Sequence, residues 1–280
     1  MAGVNDYSVK IYYINPIDSI SIIIDALINL EYEVYTLSEY DKGKLLKIIP
    51  KENTRVVIFF SILNRTEVED WLKFVGSVKA LNLTGLQLGA FSYDLISEEE
   101  KNKFLSNSVP IILFSAVEKN TIEIIQNLLT IFEAKGKRAF IRVKTLGNSD
   151  VYFYFKIREE PLIMKIIDIS ASAFSVEVED SHKNYFEINS YLSDVLIILM
   201  GTRIRVNVKV AGFSVENPNI FIFKFCSSTV VEHKVVYTDI TPKDVNLKIH
   251  NFIRKCLKRD ITMLLDEADE TRQAKTKPQD

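Results

Sequence analysis

Two short clusters hold the residues of this 280-residue chain best suited to chemistry. They are Arg138-Ala-Phe-Ile-Arg142 and, about 30 residues later, Asp168-Ile-Ser170-Ala-Ser-Ala173. A guanidinium presents its donors as a planar fork, so it grips phosphate oxygens and similar acceptor edges through paired hydrogen bonds. Two such groups in an R-x-x-x-R spacing, on a loop leading into a strand, can wrap around one anion. A carboxylate such as Asp168 does what arginine cannot, because it accepts hydrogen bonds.

Other reactive side chains are too scattered to make a site. His182, His233 and His250 show no ligand spacing, and no Ser/His/Asp order can be built on them. Cys226 and Cys256 form neither a disulfide framework nor a metal-type pair, and read as unpaired thiols in a reducing compartment. No nucleophile–base pair and no Gly-rich phosphate loop is visible. Catalytic residues, a resident metal and a cofactor are therefore not expected. Arg203 and Arg205 alternate along a strand and read as solvent-facing, as does the helix cluster Arg254, Lys255, Lys258 and Arg259.

The net charge of −2 conceals an asymmetry. Residues 1–134 hold 12 Lys+Arg against 18 Asp+Glu, a net of −6, while residues 135–265 hold 20 against 14, a net of +6. The arginine pair opens the basic half, where an anionic partner is expected. With 47% hydrophobic residues the chain can build real cores, which excludes a disordered protein. The longest apolar runs, such as 195–200, fall far short of the roughly 20 residues a membrane helix needs. No positive flank followed by an apolar stretch is visible near residue 1, so a cytoplasmic protein is expected.

The elements that must position these clusters change character near residue 135. Before it, strands alternate with helices. Strands are expected at 9–14, 33–37, 55–62, 86–91 and 109–114, and helices follow each of them. Residues 55–62 (RVVIFFSI) are nearly all apolar, as a central parallel strand covered on both faces requires. Thr66 with Glu69, and Ser97 with Glu100, have capping-box spacing. Five such units predict an α/β domain over 1–134 with a parallel (βα)5, flavodoxin-like sheet.

After residue 135 strands follow one another, at 139–145, 151–157, 162–169, 174–179, 195–199, 203–213 and 220–226. Their spacing and turns predict a small antiparallel β-barrel over 135–265. Thr241-Pro242 starts a closing helix whose apolar face is Val245, Ile249, Phe252, Ile253, Cys256 and Leu257. The charged residues 266–280 are expected to form a disordered tail.

Residues 7–134 resemble the receiver domain of bacterial response regulators in layout. A working receiver carries acids after the first strand, an acceptor Asp after the third and a Lys after the fifth. Here Asn15 follows the first strand, with Asp18 the nearest acid, and the third ends Ser61-Ile62-Leu63-Asn64. Lys119 follows the fifth. The resemblance therefore implies a degenerate, non-phosphorylated receiver-like module serving as a scaffold or protein-binding surface.

Residues 136–260 resemble a PilZ domain, the bacterial receptor for cyclic di-GMP. The family's motifs are R-x-x-x-R before the first strand and D/N-x-S-x-x-G at a nearby strand turn. The resemblance implies that Arg138 and Arg142 grip phosphate or the O6/N7 edge of guanine, and that Asp168 accepts from guanine N–H groups. It implies a hydroxyl contact from Ser170 and close ligand approach at the small residue 173, which is Ala173 where the family has Gly. Lys137 stands where many members carry a further Arg and adds a phosphate contact without the fork. The implied function is a cyclic di-GMP effector without enzymatic activity. Binding would order the 135–142 hinge and signal to a protein partner, with the first domain a candidate docking surface. Two rivals are a ligand-independent adaptor and a nucleic-acid binder using the basic half; few aromatics interleave with the basic residues, which disfavours nucleic acid. Monomer and dimer are both compatible with the sequence.

Overall fold

The computed structural model describes residues 5–276 apart from 17, 53, 93–95, 114–117, 136–137, 146–149 and 158–159. Lys137 and Gly136 lie outside the described residues, as does the Lys119 side chain. The chain forms two compact units. One holds the residues up to Ala139 together with those from Leu257 onward, and the other is Phe140–Cys256.

In the first unit the strands are β1 (Asn5–Ile14), β2 (Glu33–Leu37), β3 (Thr54–Ile62), β4 (Leu86–Ser92) and β5 (Ile111–Leu113). Helices α1 (Asp18–Asn29), α2 (Lys42–Ile48), α3 (Val68–Ala80), α4 (Glu98–Ser106) and α5 (Glu118–Ile131) connect or follow them. The strands are parallel in the order β2-β1-β3-β4-β5, the flavodoxin-like order expected of five strand–helix units. β3 is central, and its residues from Val56 to Ile62 are all buried, as its unbroken apolar run requires. Phe60 stacks on Trp71 of α3 with centroids 4.6 Å apart, joining sheet to helix.

The two capping boxes fared differently. At α4 the Ser97 Oγ accepts from the Glu100 N–H at 3.2 Å, and the Glu100 carboxylate accepts from the Ser97 N–H at 2.6 Å. Thr66 caps nothing, because it lies inside a 3₁₀ turn, Arg65–Glu67, that precedes α3. Glu67 takes over the end of the strand, accepting from the Leu63 N–H and the Asn64 side chain.

The second unit contains β6 (Val143–Lys144), β7 (Val151–Ile157), β8 (Glu160–Ile169), β9 (Ala173–Glu177), β10 (Tyr191–Leu199), β11 (Thr202–Phe213), β12 (Ile220–Val231) and β13 (Lys234–Thr238). Six antiparallel strands run β11-β10-β7-β8-β9-β12, and the β11–β12 pairing closes them into a barrel. Phe153, Phe174 and Phe223 fill its interior with mutual centroid distances of 5.2–5.4 Å. Gly212, at φ +148°, sits where β11 bulges against β12, a conformation that favours glycine.

The strand expected over 139–145 pairs only at Val143–Lys144, against β8. β13 is an element the sequence reading missed. Glu232 and His233 both have positive φ, making a two-residue hairpin turn without the Asn-Gly signature that normally announces one.

Helix α6 (Lys243–Thr276) corrects two expectations. Only its part up to Cys256 belongs to the barrel unit. It also continues through most of the expected tail: Ala268 is 2% exposed and its carbonyl accepts from Lys47 Nζ at 3.2 Å. The sequence EADETRQAK is rich in strong helix formers, which favours continuing the helix over melting it.

Candidate functional site

Within the barrel unit, the segment after the first arginine alternates between solvent and core. Phe140, Arg142 and Lys144 are exposed, whereas Ile141, Val143 and Thr145 are buried. A period of two carries Arg142 outward while its neighbours anchor the backbone. The anchoring continues at β8, where the Thr145 N–H donates to the Ile167 carbonyl at 2.9 Å and the Thr145 hydroxyl donates to the Ile166 carbonyl.

The pairing of β6 with β8 brings the two sequence clusters together. Lys144 is the cross-strand partner of Asp168, and Arg142 Nε lies 3.7 Å from Asp168 Oδ1. Arg142 is 47% exposed and Asp168 21% exposed. At this length, with Arg142 exposed and Asp168 half-buried, the ion pair is a weak one.

Beyond Asp168 the chain turns sharply from β8 into β9. The Ser170 N–H donates to the Ala173 carbonyl at 2.8 Å, and the Ala173 N–H donates to Ser170 Oγ at 3.2 Å. Neighbouring elements brace the turn. The Phe225 N–H donates to the Ser172 carbonyl, and the Thr241 hydroxyl to the Ala171 carbonyl, each at 3.0 Å. Ser170 is 5% exposed, and its hydroxyl is engaged within the turn. In this structure the Ser170 hydroxyl helps to shape the turn. Ala173 is not among the described residues with positive φ, so the backbone does not demand glycine there. What the position offers is space, since a methyl group stands at the start of β9.

Arg138 is exposed and belongs to the first unit. There its charge acts on Glu33, whose carboxyl is pushed above the usual carboxylate range by burial. Hydrogen bonding from Tyr35, at 2.7 Å, opposes that rise, as do the charges of Lys10 and Arg138. Glu33 belongs to a network that sequence reading missed. Lys10 Nζ and the Tyr12 hydroxyl each donate to Glu52 at 2.7 Å, and Tyr12 stacks on Tyr35 at 5.4 Å. Cross-strand pairs Lys10–Glu33 and Tyr12–Tyr35 assemble it. A reader of sequence sees these residues only as alternating positions of two separate strands.

At the carboxyl ends of β1 and β3, where a receiver has its acidic pocket, Ser61 is buried and its hydroxyl meets the Tyr13 hydroxyl at 3.1 Å. Residues 61–64 offer no carboxylate for phosphorylation or Mg²⁺ binding. Among the described residues no cluster of His, Cys, Asp or Glu is arranged to hold a metal, and no helix is long and apolar enough to cross a membrane.

The remaining sequence candidates divide. Arg203 and Arg205 are exposed, and Arg205 pairs with Asp194 at 2.5 Å. The α6 cluster is less solvated than expected. Lys255 and Lys258 are exposed, but Arg254 and Arg259 are half-buried.

No family model matches the sequence, and no curated protein matches it. Solved structures do. The PilZ domain of YcgR from Escherichia coli, determined with c-di-GMP, is 11% identical with a TM-score of 0.32; the match covers 50% of this chain and 99% of that one. MrkH from K. pneumonia in complex with c-di-GMP is 15% identical with a TM-score of 0.28, covering 49% of this chain and 55% of that one. PlzA from Borreliella burgdorferi, also in complex with c-di-GMP, is 17% identical with a TM-score of 0.27, covering 50% of each chain. The chain thus spans about half the length of the MrkH and PlzA chains. At such identities and scores, the function of this chain has to be read from its own residues.

Proposed function

We propose that the barrel unit binds cyclic di-GMP and that the chain is a receptor, not a catalyst. The observation carrying this reading is the apposition of Arg142 and Asp168 beside the braced turn 170–173. Cyclic di-GMP offers two phosphates, guanine O6/N7 acceptor edges, and guanine N–H donors. An arginine fork suits the first two, and a carboxylate suits the third. The two groups form a long pair with each other, Arg142 exposed and Asp168 half-buried, so a ligand bearing both kinds of partner displaces little. Arg138, Arg142, Asp168, Ser170 and Ala173 occupy the positions of the PilZ motifs, with Lys137 as an added cation next to Arg138.

Signalling to a protein partner is part of the proposal. The division between the two units falls between Ala139 and Phe140, inside the Arg138–Arg142 motif. Binding is expected to order the segment that carries the two arginines, and a protein partner to read that change. The first unit, without an acceptor carboxylate after β3, serves as the docking module.

Calorimetric titration of the full chain with cyclic di-GMP tests the proposal. Saturable binding that Arg138→Ala and Arg142→Ala each weaken by about a hundredfold or more supports it, and absence of binding to the unaltered chain refutes it. Distance measurements between labels on the two units, with and without ligand, test the signalling step; unchanged distances refute that step alone.

A further inference from the structure

Strand register brings another cation to the same turn. Ala173 is the cross-strand partner of Lys224 on β12, and Lys224 is the partner of Lys209 on β11. Tyr191 on β10 extends the row as the partner of Lys209. Directly opposed residues of antiparallel strands share one face, with Cβ atoms about 4.5–5.5 Å apart. Phe221, Phe223 and Phe225 of β12 are buried in the barrel, so the alternation puts Lys224 on the outer face, where it is exposed.

Two lysines directly opposite each other repel. Lys209 is turned aside, with its Nζ 5.7 Å from the centroid of the Tyr191 ring, which itself stacks on Tyr237 at 4.3 Å. Lys224 stands between that like charge and the small side chain of Ala173. The register therefore sets an exposed lysine next to the turn, where a bound anion gains a cationic partner. An ammonium is a compact point charge that suits a phosphate oxygen without requiring fork geometry.

We propose that Lys224 is a further ligand-contact residue, holding the second phosphate of a cyclic dinucleotide whose first phosphate or guanine edge is held by the arginine pair. This assignment rests on the reading of the barrel as a cyclic di-GMP receptor. It also predicts a division of labour between the two lysines: Lys224 touches the ligand, and Lys209 stays with Tyr191.

Calorimetry with cyclic di-GMP on the full chain separates the outcomes. Lys224→Ala is expected to weaken binding at least tenfold, Lys224→Arg to stay within threefold of the unaltered chain, and Lys209→Ala to stay within threefold. Thermal melts of each variant check that the barrel is intact. Near-normal binding by Lys224→Ala, alongside loss of binding in Arg142→Ala, overturns the Lys224 assignment and leaves the receptor reading standing. Equal weakening by Lys224→Ala and Lys209→Ala overturns it too, since that marks diffuse charge instead of a contact. If the unaltered chain does not bind, both readings fall.

Discussion

Replacing Arg142 by alanine should separate binding from stability. The Arg142–Asp168 pair spans 3.7 Å with side chains 47% and 21% exposed. A pair this long and this solvated contributes about 0–1 kcal/mol to folding. In a chain of this size 1 kcal/mol shifts the melting temperature by roughly 2–4 °C, so the variant should melt within a few degrees of the unaltered protein. Binding is a different matter. An arginine fork on a phosphate or a guanine edge makes two charge-assisted hydrogen bonds, each worth about 1.5 kcal/mol or more. Losing both removes about 3 kcal/mol. At about 1.4 kcal/mol per tenfold, the affinity for cyclic di-GMP should fall by a factor of a hundred or more. Arg142→Lys keeps the charge and loses the fork, so it should fall between the two. Calorimetry for affinity and a thermal melt for stability, on the same preparations, give the comparison. A loss of affinity below threefold refutes the role given to Arg142. A large loss of melting temperature refutes the claim that the residue is solvated and structurally dispensable.

Ala173→Gly should bring no gain in backbone fit, because Ala173 is not a positive-φ position; stability should fall by about 0.5–1 kcal/mol, and a rise would contradict that geometry. Burial holds the Glu33 carboxyl above its ordinary 4.5, so the folded state binds the proton more tightly than the unfolded state. Stability from this group is therefore lost as pH rises from about 4.5 through the raised value, and Glu33→Gln should flatten that slope in pH-dependent melts. Phe174, fully enclosed with Phe153 and Phe223 in the barrel, should cost about 3–5 kcal/mol when replaced by alanine, read as a shift in the denaturation midpoint.

Much of the architecture is written locally. The continuous apolar run of β3, the period-two alternation of β7 and the helical spacing of α3 each depend on residues a few positions apart, and such patterns survive without knowledge of the fold. The Ser97–Glu100 box formed because both partners sit on the same helical turn. The Thr66–Glu69 spacing is the same, yet no box formed there, because a 3₁₀ turn claimed Thr66 and Glu67 closed the strand end. The β12–β13 hairpin escaped notice because its Glu232-His233 turn adopts positive φ without the usual residues. The closing helix runs past the expected boundary because a segment dense in charge is also built from strong helix formers.

The candidate site divides in the same way. Sequence alone determined that Arg138, Arg142, Asp168, Ser170 and Ala173 stand in an ordered pair of clusters, since residue type and spacing are one-dimensional facts. Only the tertiary structure decided that Arg142 faces Asp168 and that Lys144 pairs with Asp168. It also set Lys224 beside Ala173, and it turned the Ser170 hydroxyl inward to its own turn. These relations come from strand register, which joins positions tens of residues apart. Register is selected by burying one face of every strand at once, so no local window of sequence contains it.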